Sequence, residues 1–311
     1  MQNKMKLYPF KFEDDISVLN SDSIIANGFL AENSIDDVIE TYLADLLGPK
    51  VLEYYRGELP VTVRISDIND RLPVMACPDD ATARERYMVW GRPFLWYFSK
   101  VKPGAKVYYG FKEEMDPTSL YNAVMDGTVR EKMYSFTPHE GDSLYVKGGM
   151  AFSADGDMRL VEISQNSPVT YHLEEIPELG EAMDILDYSA VTGENPAVGE
   201  SHFTVNLRDI SKENRIIPSS YESFIIYVCV GGAALIKTND DTIYEMGDGE
   251  VIFIPESMED FVLMPADGKG ARVIEVYMTH LDEPEKDSYT GEYLDDDDVD
   301  DDCGCGHHHN H

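Results

Sequence analysis

Basic residues are scarce in this 311-residue chain: 25 Lys and Arg stand against 59 Asp and Glu, a formal charge of −34. Such a surface repels polyanions, so DNA and RNA are excluded as partners of the body of the protein. Cysteine is scarcer still, with four residues. That count excludes a disulfide framework and makes a reducing, cytoplasmic compartment the expectation. No apolar run reaches the roughly 18 to 20 residues of a membrane span, and no apolar stretch follows the N-terminal charges as in a secretory signal. A membrane is therefore not an expected partner. No Gly-x-Gly-x-x-Gly or phosphate-loop pattern occurs. Outside the C-terminal tail the histidines are scattered singly, as at His139, His202 and His280, without metal-ligand spacing.

What is present is β-pattern. Hydrophobic residues make up 43% of the chain, enough for a large core. Short apolar runs bounded by Gly, Pro, Asp or Asn predict strands at 60–65, 106–111, 143–146, 159–163, 223–230, 251–254 and 272–277. Val89 to Tyr97, rich in aromatics, also reads as strand. Helical periodicity is confined to Ser34–Leu47, capped by Ser34 and stopped by Gly48, and to 117–133, capped by Asp116 and weakened at Gly127. Asp79 is a further cap candidate, for a helix starting near Ala81. The expected fold class is all-β, two sandwich units with a few peripheral helices. The expected organisation is an N-terminal segment with a helix (1–49), a first domain (50–175), a linker (176–200), a second domain (201–281) and a disordered tail (282–311).

The tail is compositionally unlike the rest. Asp295 to Asp302 holds seven Asp in eight residues, followed by Cys303, Cys305, His307, His308, His309 and His311. Two thiols and four imidazoles can chelate zinc, nickel or copper. A functionless low-complexity or tag-like tail is the competing reading.

Gly249 to Pro255 is a Gly, five residues, then Pro; Gly141 to Lys147 has the same spacing with Lys at the last position. Each is a turn, an apolar strand and a second turn. The pattern resembles the second half of the cupin motif and suggests a tandem cupin, two double-stranded β-helix barrels. Further segments sharpen the resemblance: Ile24–Gly28, Asp67–Asp80, Gly91–Tyr97, Pro103–Lys106 with Gly110–Lys112, Glu162–Leu173 and Glu222–Val230. In order and spacing they are similar to the type I mannose-6-phosphate isomerases of the short bacterial kind, over about Asp22 to Tyr277.

That resemblance implies a zinc enzyme interconverting mannose 6-phosphate and fructose 6-phosphate, with zinc held by Gln, His, Glu and a second His. The matching positions here are Met75, Cys77, Phe94 and Phe152, and an Arg of the family's pocket is replaced by His172. Phenylalanine cannot ligate a metal, and a lone thiolate does not hold zinc. No cofactor is expected in the barrel, and whether the chain is an enzyme is left open. The expected function is that of a non-catalytic relative binding a sugar phosphate or regulating a partner, with Arg71, Arg92 and Lys147 as candidate anion contacts. Two alternatives stand beside it: an active metal-dependent isomerase with an altered site, and a metal-binding protein acting through its tail.

Overall fold

Two stretches are apolar at every position, Phe94–Phe98 and Ile225–Cys229, and all ten residues are buried. A strand puts successive side chains on opposite faces, so such a run needs cover on both sides. A computed structural model of the protein, which describes residues 6–13, 18–191 and 202–281, shows how that cover is supplied. Residues up to Leu281 form one compact unit. The architecture is a tandem cupin-type β-fold with a few helices around it.

In the first barrel, one sheet runs in the order Val18–Leu19, Val61–Ile68, Met158–Gln165, Phe94–Val101, Ser143–Val146. The other runs Tyr171–His172, Met75–Ala76, Ala151–Asp155, Lys106–Phe111, Met133–Phe136. Between them Phe94, Trp96, Phe98, Leu144, Val146 and Leu160 pack on Val107, Tyr109, Phe152 and Ala154. The alternate residues Leu95 and Tyr97 face the other way, into a second cluster with Val161, Ile163, Ile226, Val228, Ile274 and Val276. That cluster is shared by both barrels, which therefore stand back to back on a common apolar layer.

The second barrel is organised by one strand, Ile225–Lys237. Its first part pairs with Val251–Ile254 and Ala271–Met278, its second part with Ile243–Gly247 and Phe261–Pro265. The change of sheet falls at a bulge between Cys229 and Gly231. Gly232 follows with φ +71°, and a Cβ there would lie 2.5 Å from the Gly270 carbonyl oxygen, so the bend needs glycine. Phe203–Ile210 flanks Ala271–Met278, and Phe10–Lys11 from the N-terminus flanks Val251–Ile254.

The strands expected from sequence all appear, those at 106–111, 143–146 and 251–254 to the residue and the others with shifted ends. Strand Phe94–Val101 begins five residues later than the aromatic stretch suggested, because the chain bends at Met88–Val89 and runs irregularly to Pro93, where Arg92 N–H bonds the Pro78 carbonyl instead of a strand. Ser34 caps Ile35–Tyr42 in a capping box with Asp37, Asp79 caps Asp80–Tyr87, and Asp116 caps Pro117–Met125. The 117–133 helix is split at Asp126–Thr128, around Gly127, and Lys132 ends its second piece. Two helices were not anticipated. Pro49–Tyr55 starts at a proline directly behind Gly48, and Ile176–Ile185 opens the stretch read as a linker. No helix among the described residues is long and apolar enough to cross a membrane. The Asp-rich tail with its Cys and His residues lies outside the described residues.

Backbone packing makes two glycines respond oppositely to alanine. A Cβ on Gly148 would lie 2.3 Å from the Asp79 Cα, whereas nothing lies within 4 Å of one on Gly180, inside helix Ile176–Ile185. Gly148→Ala is expected to cost about 1–3 kcal/mol by overpacking. Gly180→Ala is expected to stabilise by up to about 1 kcal/mol. Thermal melts of the two variants check both signs.

Candidate functional site

The segment Cys77-Pro78-Asp79-Asp80 crosses the end of the first barrel between two glycines. A Cβ on Gly91 would meet the Asp80 nitrogen at 2.5 Å, and one on Gly148 would meet the Asp79 nitrogen at 2.4 Å. Backbone bonds fix the crossing: Gly149 N–H donates to the Cys77 carbonyl at 2.7 Å and Arg92 N–H to the Pro78 carbonyl at 3.0 Å. The Asp80 carboxylate completes it by accepting from Gly91 N–H at 2.8 Å and Gln165 Nε2 at 2.6 Å. Burial alone would raise the Asp80 pKa; hydrogen bonds from His202, Gly91 and Gln165 outweigh it and hold the carboxyl below its ordinary value.

This frame brings together the four positions that the family resemblance assigns to metal ligands. Met75 is paired with Phe152 across neighbouring strands. Phe94 and Phe152 meet edge to face at 4.7 Å between centroids, and Trp96 contacts both at 5.2 and 5.6 Å. Phe94, Phe152, Trp96 and Cys77 are each no more than 2% exposed. The space is filled by aromatic rings, each such side chain contributing about 1.5–3 kcal/mol on burial.

A small polar network closes the mouth. Glu162 accepts from Arg92 Nη2 at 2.7 Å through one oxygen and from Trp96 Nε1 at 2.8 Å through the other. Arg92 also directs Nη1 at the Cys77 sulfur, 3.5 Å away, and at the Thr170 hydroxyl, 3.3 Å away. Burial pushes the Cys77 thiol up, against the pull of the guanidinium and Thr170, so it stays protonated and is a poor nucleophile. Burial disfavours the Arg92 cation, but the Glu162 carboxylate and Cys77 together outweigh it and hold the guanidinium pKa above its ordinary value.

Zinc does not fit this donor set. Two of the four positions are phenylalanines, one is a thioether, and the remaining thiol is protonated and capped by a cation. A guanidinium beside Cys77 repels a dication, and zinc needs three or four N, O or thiolate ligands.

The other sequence candidates are distributed differently. Arg71, Arg92 and Lys147 belong to three separate ion pairs, with Asp155, Glu162 and Asp187. Only Arg92 joins the aromatic site. His172 is opposite Met75 in register, but its ring Nδ1 and its N–H both engage Glu178 Oε2, at 2.9 and 2.7 Å. His172, Glu175 and Glu178 offer ligand atoms within 4.8 Å of one another. His172 ends strand Tyr171–His172, Glu175 is the N-cap of helix Ile176–Ile185 and Glu178 is in its first turn, where the helix N–H groups favour anions over cations. Cys303, Cys305, His307, His308, His309 and His311 lie outside the described residues. Sequence reasoning missed Thr170 and the bridging role of Glu162. The available signal was a carboxylate on the same strand face as the apolar Met158 and Leu160.

Comparison with known proteins bears on the fold that carries this site. No family model matches the chain. Over 154 residues, half of the chain, it is 25% identical to a mannose-6-phosphate isomerase from Streptococcus mutans, covering 47% of that protein's length. The fold is that of the mannose 6-phosphate isomerase from Bacillus subtilis, with a TM-score of 0.69 at 20% identity, covering 83% of this chain and 85% of the other. A single-residue variant of phosphomannose isomerase from Salmonella typhimurium superposes with a TM-score of 0.68 at 14% identity, covering 84% and 90%.

The buried pair makes a sharp energetic test. Glu162→Gln strands the Arg92 charge in a site only 13% exposed, and is expected to cost about 3–5 kcal/mol. Adding Arg92→Met is expected to recover most of that loss, since both charges are then gone. Urea titration of the single and double variants reads the coupling.

Proposed function

We propose that this chain, a relative of the mannose-6-phosphate isomerases of the short cupin type, does not carry out metal-dependent isomerisation and acts as a sugar-phosphate-binding protein. The observation that carries the first part is the packing of Phe94, Trp96 and Phe152 at 4.7 to 5.6 Å where a metal and its open coordination position would need room. Aldose–ketose interconversion by proton transfer needs a base beside the sugar carbon and an electrophile on its oxygen. Here Glu162 is spent on Arg92 and Trp96, and Arg92 on Glu162, Cys77 and Thr170. Neither group is free to move a proton. The sugar-phosphate part rests on likeness to the named relatives alone.

A second reading is favoured by composition. Two Cys and four His within residues 303–311 form a dense donor set, so the tail is proposed to bind zinc, nickel or copper independently of the barrels.

Metal content and mannose 6-phosphate turnover, measured on the full chain and on a chain ending at Tyr293, test both readings. The expected result is no turnover above background in either, with or without added zinc, and metal retained only by the full chain. Turnover abolished by a chelator would overturn the non-catalytic reading. Metal-free full-length protein after zinc loading would overturn the tail reading.

A further inference from the structure

The second barrel repeats the polar arrangement of the first at the same place in its sheet. In the first barrel Glu162, on Met158–Gln165, stands opposite Trp96. In the second, Glu275, on Ala271–Met278, stands opposite Tyr227. Glu162 takes Arg92 on one oxygen and an aromatic donor on the other. Glu275 does the same: Oε1 pairs with Arg208 Nη2 at 2.7 Å and Oε2 accepts from the Tyr227 hydroxyl at 2.9 Å. Asn206 Nδ2 at 3.2 Å and the Tyr221 hydroxyl at 3.1 Å complete the shell of Glu275, which is fully buried. Burial, then the nearby Glu275 charge, pushes the Tyr221 hydroxyl up to about 12, so it remains a protonated donor near neutral pH.

The two sites differ at their arginines. The Arg92 side chain is 13% exposed and its other terminal nitrogen is used by Cys77 and Thr170. The Arg208 side chain is 40% exposed, and its Nε is a buried donor with no acceptor. Arg130 Nε is likewise unbonded, but Asp155 Oδ1 lies 3.9 Å from it. Buried donors are seldom left without an acceptor. Nη2 is shared between Glu275 and the Tyr221 hydroxyl, 3.5 Å away, so the terminal nitrogen Nη1 is the donor this half-exposed arginine can present to a second anion. Tyr221 and Tyr277, edge to face at 4.8 Å, stand beside it. Deeper in, the barrel is filled by Ile225, Ile252, Ile254 and Phe261, which confines any ligand to the surface around the Arg208 guanidinium.

We infer that the mouth of the second barrel is a binding site for a small organic oxyanion, a phosphate ester or a carboxylate, taken by Arg208 beside the Tyr221 and Asn206 side chains. Glu275 is a positioning residue: it holds Arg208 and does not itself meet the ligand. The first barrel, with its arginine enclosed, has no equivalent opening.

Isothermal titration of the full chain with mannose 6-phosphate and, separately, gluconate tests this and separates the two anion sources. Arg208→Met would leave Glu275 buried without its cation and risks unfolding. Arg208→Lys keeps the charge but loses Nε and the planar fork. The expected result is saturable binding of at least one anion, weakened at least tenfold in Arg208→Lys and unchanged in Arg92→Lys, with both variants folded by circular dichroism. Should Arg208→Lys prove unfolded, Tyr221→Phe serves, with an expected threefold or greater weakening. Binding lost in Arg92→Lys and kept in Arg208→Lys would place the ligand in the first barrel, overturning this site while keeping the sugar-phosphate reading. No saturable binding of either anion at millimolar concentration would overturn the site as well, leaving water as the acceptor of Arg208 Nε.

Discussion

The structure depends on one constraint: its two central strands are buried on both faces. Phe94, Trp96 and Phe98 fill the first barrel, while Leu95 and Tyr97 are buried in the layer shared with the second. Ile225, Tyr227 and Cys229 fill the second barrel, while Ile226 and Val228 return to the same shared layer. A one-residue slip in either strand would exchange the two sets, so register is held from both sides at once. The barrels are coupled through this layer, and the first helices and the N-terminal Phe10 are packed into it as well.

This coupling bears on how the first barrel is filled. Its inner positions are as fixed as its outer ones, so small side chains there would leave cavities in a strand held from both faces. Met75, Phe94 and Phe152 occupy the space, and Arg92 with Glu162 satisfies the polar atoms that remain. A buried ion pair contributes little net stability over an apolar replacement, because desolvation offsets attraction. Its role here is local order. Arg92 ties the turn before Phe94 to Cys77, Thr170 and Glu162 on three other segments.

Much of this was legible in the sequence, for identifiable reasons. Strand positions followed from apolar runs between turn residues, and Ser143–Val146 and Val251–Ile254 match to the residue. Met75, Cys77, Phe94 and Phe152 were expected to share a place because family resemblance aligned them, and the strand pairing and ring contacts of the first barrel bring them together. Helix Ile176–Ile185 was not legible: Pro177 and Gly180 read as breakers, and its stability comes from Leu179, Ala182 and Ile185 packing on Leu173 and Val74. The pairing of Phe10–Lys11 with Val251–Ile254 joins Phe10 to Phe253, 243 residues away, a contact no local pattern encodes. The partners of Arg92, Arg71 and Lys147 were equally hidden, because ion pairing is decided by side chains that meet only after folding.

The central claim is that the first barrel holds rings and a closed ion pair at the positions that the family resemblance assigns to zinc ligands. Crystals of the full chain soaked in zinc, with anomalous scattering measured at the zinc edge, test it most directly. The account predicts no anomalous peak in the first barrel and an intact Arg92–Glu162 pair beneath Phe94 and Phe152. A peak at a bonding distance of about 2.3 Å from the Cys77 sulfur, with Arg92 displaced, would contradict it.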